Sequence, residues 1–416
     1  MFTRNFRLIF AIFIILLIPS FVLADDAIPD EDFSDSEILE VLEASGEVTD
    51  IPDINSRHAV IIDRLSRQVL FGKKETEKCK MASTTKIMSA IVTIENSNLL
   101  DLVVVSSKSA GTGGSRLGLS TNDKVTVESL LYGLMLRSGN DAAVALAEHV
   151  GGSVENFANM MNEKALELGL TSTHFVTPHG LDQEEHYTTA LDLALLTDYA
   201  LKNETFAKIV RTKNYTITIN GQSKNISNTN ELLGNFDGVY GVKTGFTNGA
   251  NRCLVTACKR GDLDIICVVL GCDTKKNRTQ DSIKLINYIY KNFTVVNIED
   301  FIDSNFKDWY LLHSNSFHVN KGFSQFLKLS LDKSDLPYSY MAINISDLKK
   351  QETVISFTSF HEAPLFANTI VGSLSFKVNG REYFSLNIVN SNDIMKKNVF
   401  FYFNFLIKNY FKILDS

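Results

Sequence analysis

Met81-Ala82-Ser83-Thr84-Thr85-Lys86-Ile87-Met88 is the most informative stretch of this sequence. Apolar residues follow it at helical spacing, at Ile87, Ile91 and Ile94, so the stretch predicts the start of a helix with Ser83 and Lys86 on one face. A serine becomes a nucleophile when a base takes its proton, and a lysine becomes that base when desolvation or nearby positive charge lowers its pKa. The helix N-terminus also favours negative charge developing at Ser83. Ser83 is therefore a candidate nucleophile and Lys86 its candidate base; the alternative is a plain N-cap and a solvated lysine.

A second motif, Ser138-Gly139-Asn140, falls at a break between two helical runs. A loop between helices can present a hydroxyl and an amide into a cleft, Ser138 to relay protons and Asn140 to hydrogen-bond a substrate amide. The alternative is simple helix capping by Asn140 or Asp141.

A third motif, Lys243-Thr244-Gly245, falls on a predicted strand. Lys243 can anchor a substrate carboxylate there, and Gly245 leaves room for the close approach of a substrate backbone. The alternative is an exposed strand lysine before a turn. Alone, the first two motifs are weak evidence for a catalytic site, because the same patterns occur at Ser304-Asn305-Phe306-Lys307 and at Ser223-Lys224-Asn225. Only the three motifs together, in this order, indicate a catalytic site.

The residues around the motifs predict an α+β domain over residues 55–293. A β-hairpin is predicted at 58–63 and 68–71, and Thr126 and Ser153 are candidate N-caps of two of the helices. The predicted helices span about 87–94, 127–135 and 154–168; the predicted strands span 215–219, 238–244, 253–259 and 264–271, with a final helix at 282–293. This order predicts helices packed on a mainly antiparallel sheet.

The chain changes character after residue 293. Residues 294–390 contain short β-rich runs with turn signals, including Asn379-Gly380, and predict a small all-β domain. Between residues 395 and 414, Lys397, Asn404, Lys408 and Lys412 form a narrow polar stripe on a mostly apolar, aromatic helix. This pattern predicts an amphipathic helix lying in a membrane interface with its lysines toward the headgroups; the alternative is a terminal helix docked on the protein's own core.

The first 24 residues have the pattern of a secretory signal. Arg4 and Arg7 precede an apolar run over residues 8–18, and Ala24 ends a segment that a signal peptidase could read. The run is shorter than the roughly 20 apolar residues that cross a membrane, although an uncleaved anchor is the alternative. Residues 25–54 form an acidic linker, since 12 acidic and no basic residues lie between Asp25 and Asp53.

Composition excludes several classes of protein. The 416 residues are 44% hydrophobic and 21% charged, which is typical of a globular chain of two or three domains rather than a fibrous or disordered one. The net charge of −7 gives no indication of nucleic-acid binding. The five cysteines form no C-x-x-C pair; Cys267 is predicted in a buried strand, and a disulfide among the other four stays open.

The chain has three histidines close together in sequence, His174, His179 and His186, and such residues are candidate metal ligands. Their spacings of 5 and 7 residues fit no zinc pattern. Capping or surface roles are therefore the prediction for all three.

The ordered motifs resemble the serine-type D-alanyl-D-alanine carboxypeptidases, the low-molecular-mass penicillin-binding proteins. The similarity covers about residues 55–293, and matching segments occur in family order at 81–88, 136–143, 178–182, 186–190 and 241–247. It implies the transpeptidase/β-lactamase-like fold for this domain, and Ala363-Pro364 with Val371-Gly372 weakly resembles the family's small C-terminal β domain. One departure is Asn251-Arg252, where the family often has Gly-Arg.

The resemblance implies a reaction and the groups that carry it. Ser83 would attack the carbonyl between two terminal D-alanines and form an acyl-enzyme, with Lys86 as proton acceptor. Ser138 and Asn140 would complete the proton relay and hold the substrate. No metal or organic cofactor is expected, because acyl transfer to a serine needs none.

The third motif is implied to bind substrate. Lys243 and Thr244 would bind the terminal carboxylate, Gly245 would leave room beside them, and the backbone N–H groups of Phe246 and Ser83 would form the oxyanion hole. The expected partners are peptidoglycan stem peptides ending in D-Ala-D-Ala, β-lactam inhibitors, and a membrane surface contacted by the C-terminal helix. An exported enzyme at the outer face of the bacterial cytoplasmic membrane is the implied setting.

Two other functions are compatible with the three motifs. A class A β-lactamase shares the fold but needs a glutamate that activates the deacylating water, and no Glu-x-x-Leu-Asn segment lies between Ser138 and Lys243. A catalytically silent wall-binding protein could keep the fold without the reaction, although every motif position is intact.

Overall fold

A computed structural model describes residues 51–414 of the chain. The predicted signal peptide and the predicted linker as far as residue 50 lie outside the described residues. Residues 51–54 form no helix or strand and lead into the first strand.

The helices of the described residues fall into a group before residue 212, one helix after the central strands, and two toward the C-terminus. They are α1 (Lys86–Asn96), α2 (Ser107–Ala110), α3 (Val127–Leu136), α4 (Asn140–Gly151), α5 (Val154–Glu167), α6 (Ala190–Leu201), α7 (Glu204–Arg211), α8 (Lys275–Asn292), α9 (Ile298–His313) and α10 (Val399–Leu414), with 3-10 turns at Ala82–Thr85, Ser314–Ser316 and Ile345–Lys350.

The strands are short except in the central sheet and in one late hairpin. They are β1 (His58–Asp63), β2 (Val69–Lys73), β3 (Leu102–Val104), β4 (Lys124–Thr126), β5 (Asn214–Ile219), β6 (Gln222–Ser227), β7 (Val239–Thr247), β8 (Asn251–Arg260), β9 (Leu263–Cys272), β10 (Phe293–Asn297), β11 (His318–Asn320), β12 (Leu329–Asp332), β13 (Tyr340–Asn344), β14 (Gln351–Phe357), β15 (Phe360–Glu362), β16 (Ile370–Val378) and β17 (Arg381–Asn390).

The central sheet has the order β2-β1-β9-β8-β7, and all of its neighbours pair antiparallel. The predicted hairpin and the predicted antiparallel sheet are therefore confirmed. Successive side chains of a strand point to opposite faces, so Val60 and Ile62 of β1 join the core beneath α1 and α3–α7, while Ala59 and Ile61 pack in the core with α8. Cys267 is fully buried in this second core, and all five cysteines of the chain are free thiols.

The predicted helix caps are where the sequence placed them. The hydroxyl of Thr126 accepts from the backbone N–H of Ser129 at the start of α3, and Ser153 does the same for Asn156 at the start of α5. The helix predicted at 282–293 begins earlier, at Lys275, because its first turns bury polar rather than apolar residues. Hydrophobic spacing does not detect such turns.

The region after residue 293 contains a smaller four-stranded sheet, in the order β12-β17-β16-β14, and two two-stranded sheets, β10-β13 and β11-β15. Its β16–β17 hairpin turns at Asn379 and Gly380, both with positive φ (51° and 77°), as the Asn-Gly signal predicts. The region also contains α9, a helix that the sequence reading did not include. Ile298, Ile302 and Phe306 recur at every fourth position and place one face of α9 in the core of this region.

The C-terminal helix α10 projects its apolar side chains into solvent. Val399 and Phe400 are 82% and 76% exposed, and the helix touches the small sheet region through the ring of Phe401 against Phe323, 5.4 Å between centroids. Residues 399–410 therefore do not dock on the protein's own core. Among residues 51–414, no helix has both the length and the apolar character needed to cross a membrane.

Candidate active site

The first motif forms a tight turn at the start of α1. Ala82 has a left-handed φ of 48°, and the 3-10 turn Ala82–Thr85 runs directly into the helix. Two threonine hydroxyls satisfy the buried carbonyls of this turn: Thr84 donates to Met81 O (2.6 Å) and Thr85 donates to Ala82 O (2.8 Å). Ser83 makes no capping hydrogen bond, so the alternative role of a plain N-cap is not observed.

Lys86 is fully buried, not solvated. Its Nζ donates to Ser83 Oγ (2.7 Å), to Asn140 Oδ1 (2.7 Å) and to the carbonyl oxygen of His179 (2.8 Å). Three donated hydrogen bonds use every proton of an ammonium group, whereas a neutral amine keeps two N–H donors, for Asn140 and His179, and has a lone pair that can accept the proton of Ser83. The geometry places a lysine amine against a serine hydroxyl, as proton transfer requires.

The second motif lies in the break between α3 and α4, where Ser138 adopts a left-handed φ of 58°. Asn140 begins α4 and is held by the loop between α2 and β4. Its backbone N–H donates to Ser115 O (2.7 Å) and its Nδ2 donates to Gly113 O (2.8 Å). Because the side-chain Nδ2 faces Gly113, the Oδ1 on the other side of the amide group is turned toward Lys86.

The buried carboxylate of Asp141 attaches the loop between α2 and β4 to the start of α4. Asp141 accepts the backbone N–H groups of Leu117 (2.8 Å), Gly118 (2.8 Å) and Leu119 (3.0 Å). It does not cap α4 in the simple sense the sequence allowed, although one oxygen also accepts from Ala142 N–H (2.9 Å). The sequence reading missed this role, because nothing in the local pattern shows which distant N–H groups a carboxylate will accept.

The third motif lies on β7, one of the two edge strands of the central sheet. Lys243 is 1% exposed, so the alternative of an exposed strand lysine is wrong, and its Nζ donates to Thr244 O (2.9 Å). A Cβ at Gly245 would lie 3.0 Å from Ser83 N and 3.1 Å from Ala82 Cβ. The close neighbour of this glycine in the structure is thus the turn that carries the serine.

Two residues outside the motifs shape this strand. The Thr229 hydroxyl lies 2.7 Å from that of Thr244 and was not predicted from sequence. The guanidinium of Arg252 stacks on the ring of Phe246 at 3.9 Å. Asn251, at the family's frequent glycine position, has a left-handed φ of 57°, a conformation that asparagine adopts more readily than most residues.

The segment with the histidines closes the other side of the turn. His186 is 2% exposed, its Nε2 lies 2.8 Å from Thr85 Oγ1, and burial lowers its pKa to about 4. Burial, with the charge of Lys86, also lowers the pKa of His179 to about 3. The predicted surface or capping role is wrong for His186. His179 is half-buried, and its Nδ1 accepts from the backbone N–H of Leu181 (3.2 Å), a local contact of the predicted kind. No cluster of three or more metal-ligating side chains occurs within residues 51–414.

The decoy motifs lie elsewhere. Ser304 and Lys307 are both exposed on α9, and Ser223-Lys224-Asn225 lies on β6, where Lys224 donates to Leu117 O. Identical spacing therefore yields a buried Ser–Lys contact at one place and a solvated pair at another.

Comparison with known proteins gives the family. The family model of D-alanyl-D-alanine carboxypeptidases, peptidase family S11, matches residues 45–274. This chain belongs to the D-alanyl-D-alanine carboxypeptidase family. Members of this family are serine hydrolases that work through an acyl-enzyme, and the predicted transpeptidase/β-lactamase-like fold is confirmed by the structural neighbours.

Similar carboxypeptidases span most of the chain. D-alanyl-D-alanine carboxypeptidase DacF of Bacillus subtilis is 33% identical over 358 residues, covering 82% of this chain and 86% of the relative. The solved carboxypeptidase DacD of Francisella tularensis has a TM-score of 0.68 at 25% identity, covering 84% of this chain and 98% of its own. Penicillin binding protein 5 of Haemophilus influenzae has a TM-score of 0.66 at 26% identity, with 84% and 100% coverage.

Proposed function

We propose that this carboxypeptidase removes the terminal D-alanine from peptidoglycan stem pentapeptides, with Ser83 as the nucleophile. The observation that carries the proposal is the hydrogen bond of 2.7 Å between Lys86 Nζ and Ser83 Oγ, inside a buried site that also contains Asn140. Family membership supports the reaction class, and the geometry of this chain supports the residue roles.

The acylation step uses Lys86 as a base. In its neutral form the amine accepts the Ser83 proton, and Oγ attacks the carbonyl carbon of the penultimate D-alanine. The tetrahedral intermediate then collapses: the C–N bond to the terminal D-alanine breaks, and its nitrogen takes a proton relayed from Lys86 through the Ser138 hydroxyl. D-Alanine leaves, and the shortened peptide stays as an ester on Ser83.

The backbone N–H groups of Ser83 and Phe246 are the proposed oxyanion hole. The two residues belong to the turn and the strand that meet where a Cβ at Gly245 would touch Ser83 N. Donors fixed in this way stabilise the charge that develops on the substrate oxygen only in the transition state.

Substrate recognition is assigned to the second and third motifs. Lys243 and Thr244 bind the terminal carboxylate, Gly245 leaves room beside them, and Asn140 orients the peptide amide. Water then hydrolyses the ester in the deacylation step. β-Lactams acylate Ser83 in the same way, because the resemblance to this family implies that they mimic the D-Ala-D-Ala unit.

We assign each segment of the chain a role in export, catalysis or attachment. Residues 1–24 act as a cleaved signal, 25–54 as a linker, 55–293 as the catalytic domain and 294–390 as a small C-terminal β domain. The amphipathic segment 395–414 anchors the enzyme peripherally at the outer face of the cytoplasmic membrane. The exposed apolar residues of α10, with lysines and no acidic residue between Ile394 and Leu414, support this attachment.

The test measures D-alanine release from diacetyl-Lys-D-Ala-D-Ala by the purified protein, together with covalent labelling by a fluorescent penicillin. Ser83→Ala removes the proposed nucleophile, and Ser304→Ala, in the exposed decoy motif, is the matched control. We expect both signals in the wild type and the control and neither in Ser83→Ala. Penicillin labelling without D-alanine release would indicate a silent binder, and rapid continuous penicillin hydrolysis would indicate a β-lactamase.

A further inference from the structure

A directional chain of hydrogen bonds ends at the turn that carries Ser83. The backbone N–H of Val176 donates to His186 Nδ1 (2.9 Å), so this nitrogen is the acceptor of the ring and the proton lies on Nε2. The Nε2–H therefore donates to Thr85 Oγ1 (2.8 Å). A ring whose pKa is lowered to about 4 by burial stays in this neutral tautomer at neutral pH.

The hydroxyl of Thr85 continues the chain of hydrogen bonds in the same direction. Since its oxygen receives the His186 proton, its own proton is left for the carbonyl oxygen of Ala82, at 2.8 Å. All three hydrogen bonds thus point the same way, and each polarises the next. The last acceptor is the carbonyl of the peptide group that joins Ala82 to Ser83.

That peptide group connects the chain to the oxyanion hole. A trans peptide is planar, so the carbonyl of Ala82 and the N–H of Ser83 point in opposite directions and turn together. Glycines lie against both edges: a Cβ at Gly180 would be 1.9 Å from Ala82 O, and a Cβ at Gly245 would be 3.0 Å from Ser83 N. The Ser83 N–H edge therefore faces the strand that carries Phe246.

We propose that His186 and Thr85 are positioning residues that orient and polarise the Ser83 N–H of the oxyanion hole through the carbonyl of Ala82. The inference rests on the proposed function, which makes that N–H an oxyanion donor. It also explains how Ala82 keeps a left-handed φ of 48°, which a residue with a Cβ adopts only when surrounding contacts hold it.

The test replaces the Thr85 hydroxyl and measures acylation by penicillin and kcat and KM for D-alanine release. Thr85→Val removes the relay with little change in volume, Thr85→Ser keeps it, and Thr93→Val is the matched control. Thr93 is equally buried in α1 and donates to Ser89 O (2.7 Å), away from the Ala82–Ser83 peptide.

We expect Thr85→Val to lower the acylation rate and kcat about tenfold, less than the roughly 100-fold lost when an oxyanion-hole donor is removed, with a much smaller change in KM. Thr85→Ser should recover most of this loss, and Thr93→Val should acylate within about threefold of wild type even where it lowers Tm. His186→Leu, the second variant, has no donor for Thr85, covers the case in which Thr85→Val does not fold, and should also lower kcat.

A spectroscopic readout separates orientation from general damage. The ester carbonyl of the penicilloyl enzyme lies in the oxyanion hole, so its infrared band should move to higher frequency in Thr85→Val and stay in place in Thr93→Val. An unmoved band, or equal acylation by Thr85→Val and Thr93→Val, would overturn the inference and leave the proposed function intact. Failure of the wild type to acylate at all would overturn both.

Discussion

Lys86 Nζ and Asn140 Oδ1 are joined by a hydrogen bond of 2.7 Å across 54 residues of sequence. The bond ties the start of α1 to the start of α4, and the loop carbonyls of Gly113 and Ser115 hold Asn140 in the orientation that makes it. A neutral amide at this point accepts from the lysine without stabilising its charge as strongly as a carboxylate would.

The first prediction concerns the neutral side-chain amide of Asn140. Asn140→Asp places a carboxylate against the Lys86 amine, favours the protonated amine and removes the base, so acylation by penicillin should fall about 100-fold at pH 7. Asn156→Asp, on the exposed first turn of α5, is the control and should acylate normally. Equal acylation rates in the two variants would show that Lys86 is not the base.

The second prediction concerns the contact between β7 and the serine turn. Gly245→Ala pushes a Cβ to 3.0 Å from Ser83 N, so the turn or the strand must shift by a few tenths of an ångström. We expect acylation to fall at least tenfold with little change in Tm, because oxyanion geometry is sensitive to such shifts.

Gly152→Ala is the contrasting control for this variant. Gly152 ends α4 with a φ of 73° and has open space around its Cβ position, so alanine there costs about 1 kcal/mol of stability through backbone strain. Its acylation rate should be that of the wild type. Loss of acylation in Gly152→Ala, or normal acylation in Gly245→Ala, would contradict the account.

His179 and His186 predict how stability depends on pH. Burial lowers the pKa of His179 to about 3 and of His186 to about 4, below the ordinary value of 6.5 that both groups have in the unfolded chain. Between these values the unfolded chain binds more protons, so stability is full above pH 6.5 and falls as pH decreases. From pH 7 to 5.5 we expect a loss of about 2 kcal/mol.

Denaturant unfolding at both pH values measures this loss. His186→Gln removes one of the two proton-binding groups and should roughly halve the decrease in the free energy of unfolding, whatever its stability at pH 7. A wild-type free energy that is the same at both pH values would show that these histidines titrate normally in the folded protein.

The membrane prediction uses the exposed face of α10. Full-length protein should sediment with vesicles of anionic phospholipid, and Lys408→Glu should weaken this binding more than fivefold at low salt, because each lysine near a charged surface contributes about 1 kcal/mol. Lys349→Glu, on the exposed 3-10 turn of the small sheet region, is the control. Binding that neither Lys408→Glu nor Phe400→Ser reduces would exclude this helix as the anchor.

The sequence predicted the elements whose signals are local. Two β-rich runs separated by a short polar turn predicted the β1–β2 hairpin, Asn379-Gly380 predicted the β16–β17 turn, and Thr126 and Ser153 predicted helix starts. α8 began earlier than predicted because the turn around Arg278 buries polar side chains, with the guanidinium paired to Glu231. Only the folded chain shows such a pairing between distant residues.

The residues of the site also fall into a group that the sequence predicts and a group that only the structure shows. Ser83, Lys86 and Asn140 could be named from ordered motifs, and the structure brings them within hydrogen-bond distance. The parts that hold them in place could not be named: His186 looked like a surface residue, and its contact with Thr85 joins positions 101 residues apart. A histidine shows its role only through the groups that surround it.

Mass spectrometry of the protein after brief reaction with benzylpenicillin tests the central claim most directly. We predict one added penicilloyl group per chain, carried by the proteolytic peptide that contains Ser83 and absent from the Ser83→Ala variant. An adduct on any other residue, or none on a folded wild-type protein, would contradict the assignment of Ser83 as the nucleophile.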